Sequence, residues 1–325
     1  MRGRRLVALS LAGLIVALST DAQAYCRKRA VPLAVRKANR GKIDKYPKDG
    51  VCEDDQIPEF KEHPWVYWPN ACTSFSVSST LATSLSKEEA SRIAAEAFAQ
   101  WSSTRCPGVN GEARPSIDAR DLGSVSCASG GYDPNGGPNQ NIIVFRDAWD
   151  PIAAAAKVAD SDILGLTTVT YDDTGHILDS DMQLNMQIQP ATTDPVSSTS
   201  WDLRSIITHE FGHFIGFTHS AEADAVMYYQ ANVGETNKRY LTEDDKAVVC
   251  QTYTPDGKRE IDPDQLVDAL PCDPTPAGGF TDQCSAKATS GCASSPGVAS
   301  TPILMAVGVA FAAFAARKRR SVAGL

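Results

Sequence analysis

Positive charge is scarce in this chain: 31 Lys and Arg stand against 39 Asp and Glu, a formal net charge of −8. Residues 1–24 contribute +2 and the stretch after Pro302 contributes +4, which leaves −14 for everything between. Nucleic-acid binding depends on neutralising phosphates, so an acidic body excludes that class of partner. Internal repeats are absent, which excludes a repeat architecture. The acidic residues never adopt EF-hand spacing, and the cysteines never adopt the paired spacing of a Cys₄ zinc site. Long apolar runs occur only near the two ends. Histidine is scarce, with five in 325 residues.

The ends point to export. Arg2, Arg4 and Arg5 precede an apolar run from Leu6 to Leu18, and Ala22-Gln23-Ala24 reads as a cleavage site. Residues 1–24 are therefore expected to be a signal peptide, with Tyr25 as the first mature residue. At the other end, Cys292 is followed by a Ser/Pro spacer, an uncharged run through Ala316 and the cluster Arg317-Lys318-Arg319-Arg320. The run is barely long enough to span a bilayer. Residues 302–320 are expected to form a hydrophobic sorting or anchor helix with its basic cluster inside. The order of cysteine, spacer, apolar helix and arginines resembles the C-terminal sorting tails of myxobacterial surface proteins. That resemblance implies a surface-attached or extracellular protein.

Nine cysteines fit an oxidising compartment. With Cys292 set aside, eight remain for four disulfides, and their connectivity is open. Short loop length favours Cys106–Cys127 and Cys272–Cys284.

Three of the five histidines fall inside one short run, His209-Glu210-Phe211-Gly212-His213-Phe214-Ile215-Gly216-Phe217-Thr218-His219. On a helix, His209 and His213 project from one face, one turn apart. Gly216 can take a positive φ without steric cost, so the chain can turn there and bring His219 back. Three nitrogen ligands with an open fourth position describe a catalytic zinc site. Glu210 is placed as general base for the water that would fill it. Five fixed identities at fixed spacing arise by chance in a chain of this length with probability of about 10⁻⁴.

On these residues, with Ser220 after the third histidine and Met227 eight residues beyond it, the chain resembles the metzincin metallopeptidases and, among them, the matrixins. The resemblance implies an α+β catalytic domain over residues 61–256. It would hold a twisted mixed sheet, an active-site helix and a C-terminal subdomain helix beginning near Leu241. It also implies that Met227 forms a methionine turn beneath the zinc. Tyr229 stands where matrixins usually carry proline. Some other metzincins have tyrosine there, so Tyr229 is either a fifth ligand or oxyanion donor, or packing in the S1′ wall. The edge strand above the zinc, which in this family pairs with extended substrate, would contain Gly165, Leu166 and Thr167.

Local patterns fill in the domain. Trp65 to Trp68 reads as a short strand. Ser86 caps a helix in which Ala90, Ile93, Ala94, Ala97, Phe98 and Trp101 share a face. Residues 141–145 read as a buried strand after a Gly-rich loop at 127–140. Ile163 to Tyr171 and Ile177 to Asn185 read as two strands around the turn Asp172-Asp173-Thr174-Gly175. Asp202 is a suitable N-cap for the helix of His209. Residues 25–60 are either a prosegment or a strap tied by Cys26 and Cys52, and residues 257–301 read as a Pro/Ser/Asp-rich linker. Asp160, Asp162, Asp172, Asp173, Asp179 and Asp181 offer oxygens to Ca²⁺, against the plainer reading of a solvated acidic surface.

The expected function is zinc-dependent endopeptidase activity by a secreted or surface-anchored monomer on peptide or protein substrates, with Zn²⁺ on the three histidines. The competing readings are a catalytically silent surface binding or adhesion protein on the same scaffold, and a zinc hydrolase of a non-peptide bond.

Overall fold

The computed structural model describes residues 25–40, 52–80, 85–107, 113–149 and 163–283, and the backbone of 305–313. The expected signal peptide, Cys284, Cys292, Asp160, Asp162 and the basic cluster at 317–320 lie outside the described residues.

The central element is a mixed sheet with strand order β3-β2-β4-β6-β5-β11-β8. Its strands are β2 (Cys72–Ser78), β3 (Asp118–Val125), β4 (Ile142–Arg146), β5 (Ile163–Tyr171), β6 (Ile177–Asn185), β8 (Gln230–Ala231) and β11 (Met305–Ala313). Strands β3, β2, β4 and β6 run parallel, and β5 returns antiparallel to β6 through the Asp172–Gly175 turn. Asp172 Oδ1 accepts from the Thr174 and His176 amides and locks that turn.

Helix α1 (Lys87–Ser102) starts at Ser86, whose hydroxyl accepts from the Glu89 amide. Its six expected apolar residues are all buried. They pack on α2 (Leu203–Phe214): Phe98 meets Phe211 edge-on at 5.2 Å, and Trp101 Nε1 donates to the Thr208 carbonyl at 2.8 Å. Full burial of one such aromatic stabilises by about 2–3 kcal/mol. Helix α2 is buried on nearly every side and lies inside the core, its polar residues His209, Glu210 and His213 included. Asp202 caps it, accepting from the Ser205 amide at 3.1 Å, and its carboxylate also receives two bonds from Arg239. Helix α3 (Glu243–Thr252) closes the domain behind a Thr242/Asp245 capping box. The result is the metzincin-like α+β arrangement that the motif implied.

Residues 25–40 and 52–60 form a strap. β1 (Cys26–Arg27) pairs antiparallel with β7 (Phe217–Thr218), and Cys26 is bonded to Cys52. Arg27 is buried against Glu260 at 3.0 Å, while Arg29 reaches Asp55 and Asp262. The strap is thereby laced to the hairpin β9 (Lys258–Asp262) and β10 (Gln265–Asp268).

That hairpin corrects one expectation. Residues 258–283 are not a free linker, because Arg259 is buried and donates to the carbonyls of Trp68, Asn70 and Ser116. The disulfides differ as well: Cys72 joins Cys272 and Cys106 joins Cys250. Cys127 is disulfide-bonded too, but not to Cys106. Loop length misled here because residues 269–272 return beside Pro69 and Ala71, which sets Cys272 against Cys72. The Trp65–Trp68 segment makes only isolated bridges, to Arg29 and His176, and β2 and β3 went unread. Finally, 305–313 is a strand and not part of a helix. Large and small residues alternate from Met305 to Ala312, a period of two that fits a strand. Among the described residues, no helix is long and apolar enough to cross a membrane.

Candidate metal centre

His209 and His213 lie one turn apart on α2, and both are buried. At Gly216 the φ is +98°, and an added Cβ would sit 2.7 Å from the Val66 carbonyl oxygen. Only glycine meets both demands, so the chain turns here and returns through β7 to His219. One ring nitrogen from each histidine lies within 4.8 Å of the others. The Nε2 atoms of His209 and His213 approach to 3.0 Å.

Backbone carbonyls orient the rings. His209 Nδ1 lies 2.6 Å from the Val226 carbonyl oxygen, and His213 Nδ1 lies 2.8 Å from that of Phe217. With the Nδ1 proton donated there, each Nε2 presents a lone pair to the common centre. Burial pushes the His213 imidazole down to about 4, against the Phe217 hydrogen bond. Burial, then the neighbouring histidines, holds His209 well below the ordinary range. Neutral imidazoles aimed at one point are the donor set a zinc ion takes. Among the described residues, this trio is the group placed to hold a metal ion.

Glu210, next to His209 on α2, lies under β5. Its Oε2 accepts from Thr167 Oγ1 at 2.5 Å, and its Oε1 is buried without a hydrogen-bond partner among the described residues. Gly165 lies against it: an added Cβ would fall 2.5 Å from Glu210 Oε1. Burial pushes the carboxyl up to about 8, although the Thr167 bond lowers it. Leu166 sits half-buried between these two residues on the same strand.

Met227 is fully buried beneath the histidines. A Cβ on Gly212 would come within 2.1 Å of its sulfur, so the missing side chain lets the methionine turn press on α2. Tyr229 follows on that turn, its ring 6.3 Å from that of His219.

Two residues to which the sequence assigned no role at the site support this floor. Asp245 is buried and accepts from the Val226 amide at 2.8 Å, the Met227 amide at 3.1 Å and Thr242. Lys238 is buried too and donates to the carbonyls of Ala223 and Ala225. Asp245 carried one signal, its place three residues after Thr242 in a capping box. Lys238 carried none. Of the aspartates weighed for Ca²⁺, Asp172 and Asp173 lie in the β5–β6 turn, and Asp179 and Asp181 are buried side by side on β6. Burial, then Asp181 beside it, raises the Asp179 carboxyl well above the ordinary range.

Residues 150–254 match the family model Matrixin. The chain is also similar to Metalloendoproteinase 1-MMP of Arabidopsis thaliana, 42% identical over 66 residues, which cover 20% of this chain and 18% of that protein. Matrix metalloproteinase-25 of Homo sapiens is 39% identical over 54 residues, 16% of this chain and 10% of that protein. Matrix metalloproteinase-17 of Homo sapiens is 44% identical over 54 residues, 16% and 9% respectively. The chain thus spans less than a fifth of the length of these relatives, and the likeness is to a matrixin-like metallopeptidase over that stretch.

Proposed function

We propose that the chain is an exported, zinc-dependent endopeptidase of matrixin type, working outside the cytoplasm on peptide or protein substrates. The observation that carries this reading is the convergence of three imidazole nitrogens, with Glu210 next in the chain to the first of them and buried under β5. His209, His213 and His219 would hold the ion. Zinc bound there supplies a Lewis acid that acidifies water and polarises a carbonyl.

The chain's own residues do the rest. Glu210 takes a proton from the attacking water on Oε1 and later passes it to the leaving amine. Thr167 holds Oε2 and so fixes which oxygen faces the reaction. Its raised affinity for protons suits Glu210 to carry one between the two steps. Backbone groups of Gly165 to Thr167 would align an extended peptide by strand addition. Tyr229, beside His219, would donate to the developing oxyanion. Export is supported by the disulfides of the body, which persist in oxidising compartments.

The test is incubation of the full chain with a proteome-derived peptide library, with and without a zinc chelator, beside the Glu210→Gln variant. Cleavage that the chelator abolishes, and that Glu210→Gln lowers by roughly 10²-fold or more while keeping one zinc per chain, is the expected result. Equal cleavage by Glu210→Gln would refute the assigned base. A chain that binds no zinc and cuts nothing would favour the silent binding scaffold.

A further inference from the structure

Strand β11 threads the cleft. It runs antiparallel to β5 from Met305 opposite Tyr171 to Ala312 opposite Ile163. On its other edge Ala312 and Ala313 run parallel to Gln230 and Ala231 of β8, just beyond Tyr229. The segment is therefore paired along β5 through Ala312, and Ala312 and Ala313 also pair with the wall that follows the methionine turn. Its register crosses the candidate catalytic carboxylate. Val309 stands opposite Thr167, which donates to Glu210 Oε2. Phe311 stands opposite Gly165, which lies directly over Glu210 Oε1. The ladder bulges between Phe311 and Ala312, at that same point.

We propose that residues 305–313 are the resting occupant of the peptide cleft, a pseudosubstrate strand that the chain supplies to itself. The inference rests on the peptidase reading for the meaning of the cleft, though not for the contact. An extended, uncharged segment of this kind is the form in which a peptide adds to a sheet edge, by main-chain hydrogen bonds. The connecting residues 284–304 can span roughly 70 Å when extended, ample to reach the cleft from residue 283. A segment tethered this way acts at an effective concentration on the order of millimolar. Dilute external peptide competes poorly with it. The chain is then latent until its C-terminal segment is withdrawn or removed.

The test compares the full chain with its Val307→Pro/Val309→Pro double variant, both loaded with zinc. Proline removes strand amides and disfavours the ladder. Hydrogen exchange over residues 163–171 reports the contact, and a quenched fluorogenic peptide reports the activity. The double variant is expected to exchange β5 amides faster and to hydrolyse the peptide about tenfold or more faster, with a synthetic peptide of residues 302–316 slowing it again. Equal exchange and equal hydrolysis in the two proteins overturn the proposal. Faster exchange without hydrolysis by either protein upholds the docked strand and defeats the peptidase reading instead.

Discussion

Thr167 Oγ1 donates a 2.5 Å hydrogen bond to Glu210 Oε2. The two residues lie on different elements, β5 and α2, so the sheet orients the carboxylate of the helix. Hydrogen bonds to charged groups contribute about 1.5–3 kcal/mol. Thr167→Val keeps the shape and removes the donor. It is expected to lower kcat by roughly 10- to 100-fold with KM and zinc content little changed. Thr167→Ser should recover most of the loss. Steady-state kinetics with metal analysis checks this, and a Val variant with wild-type kcat would remove Thr167 from the machinery.

Gly212 sits between two ligands on α2, with the Met227 sulfur and Trp101 ring where its Cβ would go. Gly212→Ala overfills that contact, at a cost of about 1–3 kcal/mol. The expected outcome is a lower Tm together with weaker zinc binding, because the floor is pushed away from the histidines. Competition with a metal chelator measures the second effect. Weakened folding with unchanged zinc affinity would separate the floor from the centre.

Asp245→Ala leaves the buried amides of Val226, Met227 and Thr242 without their acceptor. Each stranded donor costs about 1–3 kcal/mol. A loss of at least about 3 kcal/mol is expected, or a drop in Tm of roughly 6–12 °C for a domain of this size. Thermal denaturation of the variant beside wild type measures it.

The strap confers an acid sensitivity. Burial alone would raise the Asp54 carboxyl, but Lys28, Arg36 and the Arg29 amide outweigh it and hold it at about 2. A carboxyl lowered by folding stabilises above its unfolded pKa, and that stability is lost as pH falls through the folded value. The window therefore runs from about pH 4 down to about pH 2, with a contribution on the order of 2 kcal/mol. Asp54→Asn should lower Tm at pH 6 while flattening its fall between pH 4 and pH 2. Parallel Tm curves for the two proteins over that range would contradict the assignment.

The parts that could be read from the sequence were those with short-range causes. The apolar face of α1, the Asp202 cap, the β5–β6 pair and the ligand trio follow from spacing within one element or across one turn. Glu210 was legible for the same reason. Its partner Thr167 was named for a place on the edge strand, but its bond to the carboxylate joins residues 43 apart and left no local trace. The misreadings were non-local. Cys72 meets Cys272 across 200 residues, and Lys238 and Asp245 reach the methionine turn from later segments. The tail was misjudged by weighing its hydrophobicity above its period of two.

The two long disulfides bear on how the chain withstands cleavage. Residues 193–199 form a largely exposed loop, a natural place for a proteolytic nick. A nick there parts Gly165 and Thr167 from Glu210 and the histidines in sequence. Cys72–Cys272 and Cys106–Cys250 both bridge it, so the halves stay clasped. Such a clipped chain would run as a single band on a gel and fall into two pieces only once reductant is added.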